Sequence, residues 1–336
     1  MRHARFPALA LVLAATPLAG QDQPAEPPTP ASVVAAAQPS EWKVIDPADL
    51  LVMDLALDRD GNPRQVVIQL IPPPFSQGWT GNIRALARAH WWDGTSVYRV
   101  VDNWVAQWGD GEDDEAKAKP LPEGLRVVPE SEYVVDTNGS AGDAVGGALQ
   151  DDYEWLSDSL LGWRNGNGDF PRVGPYSDLE SFFRGWPIAA NEDEPTAWPT
   201  HCYGTVGVAR SLSPNTGSGA ELYAVIGHAP RQLDRNIAVV GRVIEGIEHL
   251  STLPRGKGEA GVYDDPALRV PIVSVRLGDE LPADEQPRFE YLASDSKSFA
   301  EYVRVRANRN DAFYKVPAGG IDVCNVQVPI RRVAAE

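Results

Sequence analysis

The sequence predicts a mainly β fold: a closed antiparallel barrel capped by two helices, with a long loop insertion and a C-terminal extension. Several short runs place apolar residues at alternate positions, which is the period of a strand with one buried face. Two segments in the same region place them at helical spacing instead. Several short strands with two helices are typical of a sheet that closes into a barrel and so has no edge strands.

The first predicted strands form a hairpin. Leu50 to Leu57 and Gln65 to Leu70 are rich in Val, Ile and Leu, and the turn Asp58-Arg59-Asp60-Gly61-Asn62-Pro63 between them carries an Asp-Gly pair. The aspartates of this turn also suggest a calcium loop, but the turn lacks the length and the distal glutamate of such loops. Turn formation is therefore the favoured interpretation.

The other barrel elements follow in order. A helix is predicted over Asn82 to His90, and two strands within Trp92 to Asp110, where Tyr98, Val100, Trp104 and Ala106 alternate and place Arg99 on the opposite face. On an isolated strand, such an arginine is most often only solvated. Further elements are predicted at the end of the barrel: a strand over Ile237 to Val243, a helix over Gly246 to Leu253 and a strand over Pro271 to Leu277.

The chain begins with the pattern of a secretory signal peptide, assigned to residues 1–20. Arg2, His3 and Arg5 precede the apolar run Ala8 to Ala15 and the small residues Leu18-Ala19-Gly20. The apolar run is too short to span a bilayer, so no membrane insertion of the mature chain is expected. The alternative is a disordered cytoplasmic tail. The pattern favours a periplasmic or otherwise exported protein.

The remaining chain divides into three regions. Residues 21–41 are rich in Pro and Ala and are expected to be a flexible linker. Residues 42–280 form the barrel domain, which includes an insertion over 111–201 whose many aromatic residues indicate packing, with a short helix near Asp178 to Arg184. Residues 281–336 form an extension packed on the barrel, with a helix over Phe299 to Asn308 and a terminal strand over Ile321 to Ile330.

Charge and composition exclude several classes of function. The 336-residue chain has a formal net charge of -17, which would repel nucleic acid and anionic lipid. The five histidines are scattered and no cysteine pair has metal-ligand spacing, so neither a metal site nor a cofactor is expected. The run Gly256 to Gly261 matches a dinucleotide-loop pattern but follows a helix rather than a strand. A monomer is expected.

One segment carries a family resemblance. The stretch from Trp92-Asp93-Gly94 through Arg99, Trp104 and Gln107 to Gly109-Asp110 resembles the central signature Y-D-G-x-x-F-H-R-V-x-x-x-F-x-x-Q-G-G-D of the cyclophilin-type peptidyl-prolyl isomerases. Further segments resemble the family in its own order: Asn82 to Ala87, Gly204 to Arg210, Pro214-Asn215-Thr216, Gly219 to Val225, Leu233-Asp234, and Val239 to Val243 with Gly246. The matches cover about residues 50 to 110 and 202 to 278.

The resemblance implies an isomerase that turns X-Pro bonds of exported polypeptides and needs no nucleophile. By position, Arg99 takes the catalytic arginine place and Gln107 the place of the glutamine that orients it. The implied substrate-binding residues are Trp104, Val105, Ala209, Arg210, Glu221, Tyr223, Leu233 and Ile237.

Several positions depart from the family. Glu221 stands where the family has glutamine, and a carboxylate there could pair with Arg99. Ile237 replaces a common histidine and Gln232 a common tryptophan, while Trp104 and Trp108 are larger than the usual Phe and Gly. These changes leave open the alternative of a proline-segment-binding or chaperone-like protein with little or no isomerase activity.

Cys202 and Cys324 are the only cysteines, and we expect them to form a disulfide in an oxidising compartment. The alternative is two buried free thiols. A bond between them would fasten the C-terminal extension to the barrel.

Overall fold

The computed structural model describes residues 26–333 apart from 113, 115, 141, 150–173 and 192, and this part of the chain is built mainly from β-strands. The strands are β1 (Trp42–Val44), β2 (Leu50–Leu55), β3 (Arg64–Leu70), β4 (Ser96–Val100), β5 (Val105–Gly109), β6 (Val135–Asp136), β7 (Leu179–Phe183), β8 (Trp186–Asn191), β9 (Thr196–Pro199), β10 (Thr205–Val208), β11 (Leu222–Val225), β12 (Val239–Glu245), β13 (Val270–Leu277), β14 (Phe289–Leu292) and β15 (Ile330–Arg332). The helices are α1 (Pro30–Ala36), α2 (Gln77–Arg88), α3 (143–149), α4 (Glu248–Ser251) and α5 (Lys297–Ala307).

Eight strands close into an antiparallel barrel in the order β10-β11-β5-β4-β13-β2-β3-β12. The inward-facing side chains form one core, to which α2 contributes Trp79, Ile83 and Leu86 and α4 contributes Leu250. The predicted barrel with two capping helices is therefore confirmed.

Both capping helices differ in length from the predicted segments. Helix α2 begins five residues earlier than predicted, at Gln77. The prediction missed its first turns because Gly78 and Gly81 have low helix propensity. A Cβ at Gly78 would crowd Val128 and Glu132, so this glycine allows close packing. Helix α4 is only one turn long.

The hairpin between β2 and β3 has the predicted turn. One carboxylate oxygen of Asp58 accepts the backbone N–H groups of Asp60 and Asn62, each at 2.8 Å. The side chain of Asp58 thus satisfies two backbone N–H groups of the turn, which is the usual role of aspartate in turns.

The described part of the insertion forms a four-stranded sheet in the order β6-β9-β8-β7. Residues 179–183 are strand β7, so the short helix predicted near Asp178 to Arg184 is wrong. Successive side chains of a strand point to opposite faces, and here both faces are covered: Phe182 packs on Phe299 of α5, and Phe183 packs on Phe75 beside the barrel. Two-sided burial removes the alternation that would have indicated a strand.

The N-terminal segment is ordered in its second half. Helix α1 starts at a capping box between Thr29 and Ser32, and its Val33 and Val34 pack against the cluster around α5. The prediction of a flexible linker over 21–41 is therefore corrected for the described residues from 30 onward. The predicted signal segment, residues 1–20, lies outside the described residues. Within those residues, no helix is long and apolar enough to cross a membrane.

The C-terminal extension joins β14 and β15 to β1 in a three-stranded sheet. The helix predicted over Phe299 to Asn308 is confirmed as α5. The strand predicted over Ile321 to Ile330 is wrong, since this segment contains a 3-10 turn over Val323–Asn325 and only residues 330–332 pair. Val323 and Val326 are its buried residues, a spacing of three that fits a turn better than a strand.

The disulfide prediction is confirmed: Cys202 and Cys324 are bonded, with their Cα atoms 5.0 Å apart. Cys202 lies between β9 and β10 and Cys324 lies in the 3-10 turn of the extension. The bond therefore fastens the extension to the loop that enters the barrel.

Candidate active site

Three side chains of the predicted site form a row on the outer face of the barrel. The register pairs Arg99 of β4 with Gln107 of β5, and Gln107 with Tyr223 of β11. Residues that alternate with them, such as Ala106 and Trp108, point into the barrel core. Neighbouring strands thus bring together residues that are more than a hundred positions apart.

The arginine of this row is held in place. Arg99 Nη1 donates a hydrogen bond to Gln107 Oε1 at 2.7 Å, and Arg99 Nε donates to the carbonyl oxygen of Ala260 at 2.6 Å. A guanidinium carries five N–H donors, and among the described residues none accepts from Nη2. Desolvation lowers the pKa of the half-buried Arg99. A charge with unused donors is therefore fixed at the edge of solvent.

Glu221 does not contact Arg99, contrary to the pairing that the sequence suggested. Tyr98 donates its hydroxyl proton to Glu221 Oε2 at 2.9 Å, and the backbone N–H of Asp110 donates to Oε1 at 2.8 Å. The amide of Gln107 donates in turn to the Tyr98 oxygen. The carboxylate thus orients Gln107 through Tyr98, so that Gln107 Oε1 faces Arg99. Burial raises the pKa of both Glu221 and Tyr98.

A β-bulge makes this arrangement possible. The register between β4 and β5 shifts between Val97 and Arg99, so that Tyr98 is the extra residue of the bulged strand. Strict alternation would have placed Tyr98 and Arg99 on opposite faces. The bulge lets both side chains reach Gln107.

Two glycines, one at the end of β5 and one just after it, leave room for the Tyr98–Glu221 pair. Gly109 and Gly111 have φ values of +147° and +63°, in the region that favours glycine. A Cβ at Gly109 would overlap the carboxylate of Glu221, and one at Gly111 would overlap the ring of Tyr98. Any larger residue would displace one member of the pair.

An apolar cluster lies beside the row. It unites five predicted substrate-binding residues with two neighbouring valines: Val101, Val105, Ala209, Tyr223, Val225, Leu233 and Ile237. Val105, Tyr223 and Val225 are buried and form its floor, whereas the other four are half-buried and form its walls. This cluster can receive a small apolar ring next to Arg99.

Besides Glu221, two predicted binding residues lie outside the apolar cluster. Trp104 is 39% exposed, lies in the turn before β5 and is outside the apolar cluster, so its predicted place on a buried strand face is wrong. Asn103 precedes it with φ +52°, which turns the chain before pairing begins. The side chain of Arg210 donates hydrogen bonds to the carbonyl oxygens of Asn236 and Ser211.

Sequence reasoning missed three contributors to this site. Ala260 supplies a backbone carbonyl, which no side-chain pattern could have indicated. Buried His201 contacts Tyr223, its Nε2 lying 3.0 Å from the hydroxyl oxygen, and buried Asp234 accepts from His201 Nδ1 at 2.8 Å. The pairing of histidine with aspartate across 33 positions leaves no local signal in the sequence.

The buried carboxylate gives a pH-dependent prediction for Glu221→Gln. Glu221 has a folded-state pKa above 4.5, so folding disfavours its ionisation. We expect wild-type unfolding free energy to fall relative to the variant as pH rises above 4.5, and the difference to level off above the raised pKa. Below 4.5 the group is protonated in both states and the difference is constant. Urea unfolding between about pH 2.5 and 8 measures this dependence and that of the control.

Glu301→Gln is the matched control. The hydrogen bond from Arg304 lowers the pKa of Glu301, so its neutralisation should give the opposite sign, with wild-type stability gained as pH rises to 4.5. Equal pH dependence in the two variants would contradict the assignment of Glu221.

Comparison with known proteins agrees with this geometry. Residues 162–277 match the family model of the cyclophilin type peptidyl-prolyl cis-trans isomerase/CLD. The fold is similar to the crystal structure of cyclophilin AquaCyp293 from Hirschia baltica, with a TM-score of 0.60 and 22% sequence identity over 92% of this chain and 99% of that one. A search of curated proteins finds no sequence match.

The family match covers only part of the site. The family match includes Glu221, Tyr223, Leu233 and Ile237. Arg99 and Gln107 precede it and are placed by the barrel geometry alone. The barrel has the cyclophilin fold, and residues 162–277 are similar in sequence to the cyclophilin-type peptidyl-prolyl cis-trans isomerases.

Proposed function

We propose that the protein is a peptidyl-prolyl cis-trans isomerase that assists the folding of exported polypeptides. One observation carries the proposal: a guanidinium with unused donors, that of Arg99, is fixed by Gln107 and Ala260 beside an apolar cluster on the barrel surface. The matched family is the second support.

The chemistry follows from the twisted amide. Rotation about an X-Pro bond is slow, on the order of tens to hundreds of seconds, because the nitrogen must lose its conjugation with the carbonyl. In the twisted state this nitrogen gains a lone pair that accepts a hydrogen bond. A donor already aimed at it stabilises the transition state more than either ground state, and this difference lowers the barrier.

The surrounding residues have separate roles. Gln107 and Tyr98 hold the guanidinium at a fixed angle, which avoids reorganisation during the reaction. The cluster around Val105 and Tyr223 receives the pyrrolidine ring and excludes water from one side of the bond. The planar guanidinium suits this task because it stays charged and presents several donors in a rigid fork.

The exported setting is supported by the disulfide between Cys202 and Cys324, since such bonds persist in oxidising compartments. The proposed substrates are proline-containing segments of polypeptides in that compartment. The net charge of -17 disfavours nucleic acid as a partner. We propose that the protein acts as a monomer.

A second candidate is a module that binds proline segments with little turnover. It is favoured by the burial of the floor of the apolar cluster, where Val105 is 1% and Tyr223 4% exposed, so that the site is shallow. A ring resting on a shallow surface would be held less firmly than one in a deep pocket. The two candidates differ in rate enhancement rather than in ligand.

The test uses the purified full chain and a proline tetrapeptide. We expect the cis-to-trans rate in a protease-coupled assay to rise in proportion to protein concentration, and exchange NMR without protease to show the same enhancement. A rate equal to the uncatalysed one would overturn the isomerase proposal. Peptide-induced NMR shifts in that case would support the binding module.

A further inference from the structure

A buried chain of polar side chains runs from the insertion to the floor of the apolar cluster. Glu180 Oε1 accepts from Arg231 Nη2 at 2.7 Å, and Arg231 Nε donates to Asp234 Oδ2 at 2.6 Å. Asp234 Oδ1 accepts from Nδ1 of His201 at 2.8 Å, and His201 Nε2 lies 3.0 Å from the Tyr223 hydroxyl. We call this set of five residues the buried relay.

The relay is nearly closed to solvent. The side chains of Glu180, Asp234 and His201 are 2%, 1% and 0% exposed. Buried charges destabilise a fold unless each is paired and hydrogen-bonded. Burial lowers the pKa of Arg231, but Asp234 and Glu180 more than offset this effect and the pKa is raised. Burial also raises the pKa of Glu180.

The positions of the relay residues connect separate parts of the fold. Glu180 belongs to β7 of the insertion. Arg231 and Asp234 flank Leu233 in the segment that also carries Ile237, so they fix a wall of the apolar cluster. A second contact acts on this segment, since Tyr176 of the insertion donates its hydroxyl to the Gln232 carbonyl at 3.1 Å.

The relay also fixes the floor of the cluster. The carboxylate of Asp234 accepts the Nδ1 proton of His201, and the same oxygen accepts the His201 backbone N–H at 2.8 Å. With Nδ1 as the donor to Asp234, Nε2 can accept the hydroxyl proton of Tyr223. The orientation of the Tyr223 ring is thus set by residues that cannot reach the substrate.

We propose that the insertion shapes the apolar cluster, which receives the proline ring, through this relay. Glu180 is then a positioning residue that acts on Tyr223. This inference rests on the proposed function and assigns to the insertion a role in substrate affinity. Loss of the Glu180 charge weakens the hold on Arg231, and Asp234 then shifts toward Arg231 and away from His201. The pocket floor loosens, whereas Arg99 keeps its own contacts.

A double-mutant cycle with Glu180→Gln and Tyr223→Phe tests the proposal. Glutamine is close in size and still accepts from Arg231, and phenylalanine removes only the hydroxyl. We expect Glu180→Gln to raise KM about tenfold and to change kcat less than about twofold. In the Tyr223→Phe background, the same substitution should change KM less than about twofold, because the relay has lost its last member.

Glu194→Gln is the matched control. Glu194 lies beside β9 in the same insertion and pairs with Arg235 at 3.4 Å, but its side chain is 69% exposed. This variant should keep the wild-type KM. An unchanged KM in Glu180→Gln would overturn the proposal, and so would an equal KM increase in both Tyr223 backgrounds, which would indicate general loosening of the fold.

Methyl NMR separates this inference from the proposed function. The methyl signals of Leu233 and Ile237 should shift in Glu180→Gln and stay in place in Glu194→Gln, whether or not the protein turns over substrate. If the wild type lacks isomerase activity, the proposed function fails while shifted methyl signals support the coupling. Unshifted signals would overturn the coupling even in an active enzyme.

Discussion

We expect Arg99→Ala to lower kcat/KM for proline peptides by about one to three orders of magnitude, the range typical of losing one preorganised donor. The structure gives the reason: Gln107 and Ala260 already fix this guanidinium, so it stabilises the twisted amide without reorganising. The loss should be mainly in kcat, because the apolar cluster that holds the proline ring is intact. Protease-coupled kinetics measure both constants.

Arg304→Ala provides the control for this experiment. Arg304 lies on α5, far from the row in sequence, and forms an exposed ion pair with Glu301. Its removal should leave kcat/KM unchanged. Arg99→Lys should recover little activity, since lysine keeps the charge but lacks the planar fork. Near-normal kcat in a folded Arg99→Ala protein would show that Arg99 is not catalytic.

The second large effect is expected for removal of the disulfide. The bond links residues 122 positions apart, and the chain-entropy account assigns to a loop of this length a stabilisation of about 3 to 5 kcal/mol. The double variant Cys202→Ser with Cys324→Ser should therefore lose roughly this free energy of unfolding. Denaturant unfolding of the oxidised wild type and the variant measures the difference.

Reduced wild-type protein is the control, because reduction breaks the bond and changes only the two sulfur atoms, which become thiols. It should unfold near the midpoint of the double variant. Equal midpoints for oxidised protein, reduced protein and variant would contradict the prediction. Alkylation of two thiols in unreduced, denatured protein would show that no bond forms.

The sequence predicted the barrel well because its strands have one face in the core and one outside. Pro271 to Leu277 shows that alternation, whereas Leu50 to Leu57 is a continuous apolar run before an Asp-Gly turn; both are strands with nearly the predicted bounds. Prediction failed for two strands outside the barrel. Strand β7 has cores on both faces, and β15 is three residues long.

The site was predictable only in part, and mainly through family resemblance. Position along the signature located Arg99 and Gln107, and the apolar cluster unites five of the predicted binding residues. The role of Tyr98 depends on a bulge, and that of His201 on contact with Asp234 and Tyr223. Such long-range contacts leave no periodic pattern for a sequence to show.

The small sheet of β1, β14 and β15 has a consequence for protein synthesis. Its first strand is made near residue 42, but its partners near residues 290 and 331 are made almost 250 and 290 positions later. Trp42 lies under the guanidinium of Arg331, and this contact forms only after the last strand has been made. A chain that ends between residues 277 and 324 has all eight barrel strands but lacks β15 and the disulfide partner of Cys202. We therefore expect such truncated chains to be cleaved by proteases faster than the full-length chain, because an edge of β1 or of β14 stays unpaired.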